Sequence, residues 1–252
     1  YTFIIASTDG ENWRNGNIQD NVYHPNGITF GNGRFVAVSC CSKVRTSTDG
    51  INWTFTMIPY FQTFLGVTYG NQIFVAVGRG GGIFVSSDGT NWTPGNSGTI
   101  LNLYGVAYGN GKYVAVGDIA YNTSDAPDPV LLGKAVILTS ADGMNWTARD
   151  SGVYSRLNGV TYGDGIFFAV GDSGTLIGST DGINWKKLDM NCSARLNGIA
   201  NGNGYFVAIG DNGELITASA NDSNPIKNRE LTVNLKAVAF DGNRFIAVGS
   251  EG

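Results

Sequence analysis

One phrase recurs six times along the chain, and it limits the fold more than any other feature. Its first copy reads Ile28-Thr-Phe-Gly-Asn-Gly-Arg-Phe-Val-Ala-Val38, and later copies begin at Val67, Val106, Val160, Ile199 and Val238. A second phrase, Ser-x-Asp-Gly-x-Asn-Trp, occupies 7–13, 47–53, 86–92, 140–146 and 179–185, with a degenerate sixth copy near Ser219-Ala220-Asn221. The period is about 40 residues, the size of one supersecondary unit that cannot bury its apolar face alone and must stack on its neighbours. One interval is longer, through an insertion at 118–134.

Each unit resolves into four short strands. The Gly-Val-Thr-Tyr type opens it, as at Gly66 to Tyr69. A tight turn follows at Asn32-Gly33, Asn110-Gly111 or Asp164-Gly165, pairs that accept the positive φ angles of a two-residue hairpin. The Phe-Val-Ala-Val alternation is strand two. Strand three runs into Ser-x-Asp-Gly, and strand four starts at the Trp. Four antiparallel strands per period, repeated radially, predict an all-β fold, a six-bladed β-propeller. The spacing predicts a single domain over 1–252, with repeats near 26–54, 65–93, 104–147, 158–186, 197–226 and 236–252 plus 1–13. Joining Ala247-Val248-Gly249 to Thr2-Phe3-Ile4-Ile5 would complete the last blade, strands 1–13 closing the ring on 236–249 and removing exposed sheet edges.

Composition narrows the function classes. The 37 glycines accompany abundant aromatic and β-branched residues, so they read as turns and not as disorder. The net charge is −4 with no Lys/Arg cluster, which argues against nucleic acid as a partner. No apolar run is long enough for membrane insertion. Cys40, Cys41 and Cys192 are too few for a disulfide framework, and the adjacent pair reads as free thiols in a loop. With one histidine and no Cys-x-x-Cys, no metal site and no cofactor are expected. The chain opens at Tyr1 and reads as a mature or trimmed fragment.

The second phrase resembles the Asp-box, the Ser/Thr-x-Asp-x-Gly-x-x-Trp hairpin of sialidase-like propellers, although here Asp9 and Gly10 are adjacent and the loop to Trp13 is one residue shorter. The pair of phrases is also similar to propeller repeats of bacterial surface proteins and phage tail proteins. That resemblance covers essentially the whole chain. It implies an extracellular, cell-surface or virion-surface recognition domain. Structural roles are expected for Asp9, Asp49, Asp88, Asp142 and Asp181, whose carboxylates suit turn amides, and for Trp13, Trp53, Trp92, Trp146 and Trp185, which suit wedging between blades.

The Asn-Gly and Ser-x-Asp-Gly turns repeat and belong to one face. Loops from strand four to strand one and from strand two to strand three vary, and belong to the other. Variation on a rigid scaffold marks where ligands bind. Aligning the repeats collects Asn26, Tyr104, Asn158, Asn197 and Lys236 just before strand one, with His24, Asn102, Arg156 and Arg195 two positions earlier. Arg79 joins from a strand-two-to-three loop, as do Asp118, Asp172, Asp211 and Glu251, while Tyr121, Asp125 and Asp128 come from the insertion. Amides, guanidinium groups and aromatic rings suit sugar hydroxyls. The expected function is non-catalytic: binding a glycan or cell-surface receptor, with a protein-interaction scaffold as the alternative. A glycoside hydrolase needs two opposed carboxyls, and the repetition of Asp118, Asp172 and Asp211 reads better as turn chemistry. The apolar stretch 55–64 reads either as a contact patch or as packing beneath a blade.

Overall fold

Alternating apolar residues set the strands, and Asn-Gly pairs set where they reverse. The computed structural model describes residues 4–18, 24–121, 131–219, 226–228 and 232–250. The expectations at Thr2, Phe3, Asp125, Asp128 and Glu251 lie outside the described residues. An N-terminal hairpin, β1 (Ile5–Ala6) and β2 (Arg14–Asn15), is followed by β3 (Asn17–Ile18). The first unit is β4 (Pro25–Gly31), β5 (Arg34–Ser39), β6 (Lys43–Ser47) and β7 (Asn52–Met57). The second is β8 (Phe64–Gly70), β9 (Ile73–Gly78), β10 (Ile83–Ser86) and β11 (Thr93–Pro94). The third is β12 (Leu103–Gly109), β13 (Lys112–Ile119), β14 (Ala135–Ser140) and β15 (Thr147–Asp150). The fourth is β16 (Leu157–Gly163), β17 (Ile166–Gly171), β18 (Leu176–Ser179) and β19 (Lys186–Lys187). The fifth is β20 (Leu196–Gly202), β21 (Tyr205–Gly210), β22 (Leu215–Ser219) and β23 (Ile226–Asn228). The last is the hairpin β24 (Leu235–Phe240) and β25 (Phe245–Gly249).

Within each full unit the four strands pair in sequence order, antiparallel, and β3 adds a parallel fifth strand beside β7. Gly31 pairs with Arg34, so Asn32 (φ 47°) and Gly33 (φ 71°) form a two-residue loop in the left-handed region, as the sequence required. Near its start every first strand carries a bulge. The skipped residue is Asn26, Leu65, Tyr104, Asn158, Asn197 or Lys236. A bulge re-aims the side chain it leaves out of the ladder, and here it turns one residue per unit toward the rim.

The core consists of apolar layers between consecutive units. Val38, Val44, Phe64 and Phe74 join the first to the second, and Val77, Leu103 and Leu138 join the second to the third. Val114, Leu157 and Phe167 join the third to the fourth, Val170, Leu196 and Phe206 the fourth to the fifth, and Ile209 and Leu235 the fifth to the last. Closest to the axis, first strands approach backbone to backbone. A Cβ on Gly66 would lie 3.0 Å from the Tyr104 carbonyl oxygen, and one on Gly105 3.2 Å from the Gly159 Cα.

The ladder expected between residues 1–13 and 236–249 is not formed among the described residues. Strand β1 pairs only with β2 and β25 only with β24, in two separate two-stranded sheets. Among these residues the N-terminal segment meets the last unit only through side chains, Arg244 bonding to the Asp9 carbonyl, and meets the first unit through its backbone. The Asn17 amide donates to the Ile51 carbonyl at 2.6 Å, and Ala6 Cβ lies 3.5 Å from where a Cβ on Gly50 would stand.

Candidate functional site

Each Ser-x-Asp-Gly turn is a closed hydrogen-bond cycle. In the first unit Ser47 Oγ donates to Asp49 Oδ1 (2.9 Å) and accepts from the Gly50 amide (2.9 Å). Asp49 Oδ1 also accepts from the amides of Ile51 and Asn52, and Oδ2 accepts from Asn52 Nδ2 (2.8 Å). The same cycle surrounds Asp9, Asp88, Asp142 and Asp181. These bonds favour the ionised form, so the carboxyls of Asp49, Asp142 and Asp181 sit well below the usual range, the amides of Asn52, Asn145 and Asn184 having the largest effect. Nε1 of Trp53, Trp92, Trp146 and Trp185 donates to the carbonyls of Gly50, Gly89, Gly143 and Gly182 (2.9, 3.0, 2.9 and 3.2 Å). Trp53 and Trp92 are buried between units, whereas Trp13 in the N-terminal hairpin is exposed. These turns share a face with the Asn-Gly loops, since Asn32 Nδ2 donates to Ser87 O and Asn110 Nδ2 to Thr180 O.

The opposite face carries the variable loops. Amides of Arg79, Asp118, Asp172 and Asp211 donate to the carbonyls of Thr63, Asn102, Arg156 and Arg195 at 2.9 Å, so the two loop sets meet at one rim. Three carboxylates stand there. Asp118 accepts from Asn102 Nδ2 (2.8 Å) and the Tyr104 hydroxyl (3.0 Å). Asp172 accepts from Asn158 Nδ2 (2.9 Å) and is ion-paired with Arg156 Nη2 (3.0 Å) and Arg195 Nε (3.3 Å). Asp211 accepts from Asn197 Nδ2 (2.8 Å) and pairs with Lys236 Nζ (3.1 Å). The Asn197 bond and the Lys236 charge together pull the Asp211 carboxyl below its ordinary value. The Arg156 guanidinium also lies over the Tyr104 ring, 5.3 Å from its centroid.

The sequence-chosen residues thus divide. Asn26, Asn158 and Asn197 are seam-tying groups: each donates Nδ2 to a carbonyl of the next unit, at Phe64, Leu196 and Leu235 (2.7–2.8 Å). Asn102 Oδ1 accepts from the Gly80 amide, so it too is engaged. Arg156, Arg195 and Lys236 converge through the acids and keep exposed edges. Tyr121 is 75% exposed and, with Asp118, Ile119, Arg156 and Asp172, lines an open depression of about 160 Å³. Arg79 occupies the position of the acids in the second unit and is exposed, and His24 is exposed at the start of β4. The carbonyls of Asp172 and Asp211 accept turn bonds from the Thr175 and Glu214 amides while their side chains hold the rim cations, and Asp118 takes its donors from Asn102 and Tyr104. The sequence signal for these side-chain bonds is the constant spacing of 14 residues from Tyr104, Asn158 and Asn197 to Asp118, Asp172 and Asp211. Within the stretch 55–64, Phe64 is buried, while Phe61 is 88% exposed. Cys40 and Cys41 are free, with sulfurs 3.3 Å apart.

Repeated four-stranded sheets stacked side by side, with a fixed turn face and a polar, variable rim, define the chain as a β-propeller repeat protein. No known family model and no curated protein sequence matches it. Solved structures do: YCF48 bound to D1 peptide (TM-score 0.73, 16% identity, 96% of this chain and 80% of that one). YCF48 from Cyanidioschyzon merolae is similar at TM-score 0.69 and 17% identity, covering 96% and 84%. The computationally designed Ika8 protein is similar at 0.66 and 13%, covering 90% and 69%. At these identities the likeness is one of fold.

Proposed function

We propose that this propeller is a non-catalytic recognition scaffold whose variable rim binds an extended, acceptor-rich segment of a partner protein. The observation that carries the reading is the state of the rim acids. Asp118, Asp172 and Asp211 are all taken up by donors of the rim itself, which leaves cation edges at Arg156, Arg195 and Lys236 facing outward. Hydrolysis of a glycoside needs a proton-donating acid opposite a free carboxylate. Such a paired set of acids is a poor source for either. Outward donors beside an open depression suit backbone carbonyls and side-chain carboxylates of a peptide. The peptide-bound YCF48 structure, a neighbour in fold, lends the reading support. Glycan binding is the second reading, favoured by the exposed Tyr121 ring beside the hydrogen-bonding depression.

A peptide array and a glycan array, probed with the purified chain and with Arg156→Ala plus Arg195→Ala, test both. Capture of acidic peptides that weakens at least about tenfold in the double variant supports the proposal. Capture of glycans alone, lost on Tyr121→Ala, replaces it with the second reading. Turnover of chromogenic glycosides sinks both.

A further inference from the structure

Five apolar layers join the six repeat units in a row, from β4 to β25, and among the described residues no sixth layer joins the last unit to the first. Each first strand from β4 to β20 packs against the next first strand, but β24 and β4 do not pack in that way. The two faces this leaves are apolar and open. On the first unit Ile28 is 55% and Phe30 57% exposed, and on the last unit Val248 is 57% exposed beside exposed Ala237 and Ala239.

The N-terminal hairpin stands in that gap as the outer half of another unit. Three equivalences fix its place. Asn96, four residues after Trp92, bridges in parallel to Asn145 of the following unit, and Asn17, four residues after Trp13, pairs in parallel with Asn52 of the first unit. Lys112 Nζ donates to the Asp181 carbonyl in the turn of the following unit (2.7 Å), and Arg244 Nη2 donates to the Asp9 carbonyl. A Cβ on Gly89 would meet Thr46 of the preceding unit at 3.5 Å, and one on Gly50 would meet Ala6 at 3.5 Å. The hairpin therefore follows the last unit and precedes the first, holding a position of its own between them.

We propose that the gap between β24–β25 and β4 receives a two-stranded β-hairpin supplied from outside residues 1–252, which pairs with the free edge of β1 and completes a seventh blade. The chain's own undescribed stretches are too short to serve. The longest, 122–130, has nine residues, against fifteen for the inner hairpin 196–210. The repeat also dictates the sequence of the occupant. From the second unit to the last, the residue before the first-strand terminal position lies over the corresponding Gly of the preceding unit: Cβ atoms on Gly31, Gly70 and Gly109 would fall 2.0–2.1 Å from Cγ of Tyr69, Tyr108 and Tyr162, and one on Gly163 2.0 Å from Oδ1 of Asn201. The last unit has Asp241 at that Gly position, so the occupant must bring a Gly there. Phe30 must in turn rest on a Gly of the occupant. The sequence of 196–202 meets the second condition through Gly202 and meets the first once Asn201 is replaced by Gly, while that of 64–70, with Tyr69, fails the first.

The test extends the chain ahead of Tyr1 with a copy of 196–213 whose Asn201 equivalent is changed to Gly, and in a second version with that residue changed to Tyr. The first extension is expected to raise the Tm by about 5 °C or more and to shield Phe30 and Val248 from hydrogen exchange at their amides. The Tyr version should gain much less. No rise, or an equal rise with both, overturns the proposal. The unextended chain carrying Ile5→Cys and Ala247→Cys supplies the second measurement. Rapid formation of that disulfide would mean that β1 pairs with β25 and the ring closes without an occupant, and its absence under oxidation supports the gap.

Discussion

The hydroxyl of Tyr113 donates to the carbonyl of Gly70 in the preceding unit at 2.5 Å, with no exposure of the Tyr113 side chain to solvent. Burial pushes the phenol far above its ordinary pKa, so it remains a donor at every accessible pH. The equivalent residue elsewhere is Phe35, Phe74, Phe167, Phe206 or Phe245. Tyr113→Phe should therefore pack without strain and lose only the bond, about 1 kcal/mol. The expected drop in Tm is about 2–4 °C for a chain of this size, by calorimetry. A drop beyond about 8 °C would mean that the bond does more than tie two units.

The turn carboxylates give the fold an acid limit. Asp49, Asp142 and Asp181 have pKa values depressed in the folded chain by amide donors. Depressed values contribute stability that is complete above the unfolded carboxyl pKa, about 3.9, and is lost as pH falls through the folded values. The Tm should accordingly be flat from pH 7 to about 5 and fall steeply below about 4. Asp142→Asn should lower the Tm at neutral pH and shrink the difference from the parent at pH 2. A constant difference at both pH values would contradict the assignment.

The repeating half of the structure was legible because local chemistry decides it. Asn32-Gly33 and Asn110-Gly111 take the left-handed backbone that their residue types permit, and that alone sets the register of each inner hairpin. The rim was half legible. Alignment gathers Tyr104, Arg156, Arg195 and Lys236 with Asn158 and Asn197 at one rim, but it does not show that the two asparagine amides tie neighbouring units. A free amide and one bonded to the next blade look alike in sequence, because the acceptor is a backbone carbonyl that any residue provides. Arg45 is a fully buried cation in β6 where the other units have Phe84, Leu138, Ile177 or Ile216. Ring closure was not legible. Both faces of every blade are apolar, so alternation cannot say which neighbour covers which face. That information sits in the glycines that face the following unit.

Charge balance at the rim separates a clamp from mere surface polarity. Asp172 holds Arg156 and Arg195 together, each pair being partly exposed to solvent. Asp172→Asn keeps an oxygen at that position and removes the charge, so the stability loss should stay near 1 kcal/mol or less. Affinity for an acidic peptide should rise several-fold as the guanidinium groups are released, with a steeper dependence on salt. Isothermal titration at low and high ionic strength reads both. Weaker binding in the variant would remove the cations from the recognition surface.

Close approach between units makes some glycines irreplaceable and others not. A Cβ on Gly109 would fall 2.0 Å from Tyr162 Cγ, a ring fixed between two units, so Gly109→Ala must displace a blade. The expected cost is about 3 kcal/mol or more, at or beyond the usual overpacking range. Gly198 has its nearest such neighbours at 3.5–3.6 Å, ordinary van der Waals contact. Gly198→Ala should be neutral, or stabilising by about 0.5 kcal/mol, since Ala in a strand loses less backbone entropy than Gly on folding. Urea unfolding of both variants separates the cases. Equal destabilisation would show that the axis does not carry the packing described for it.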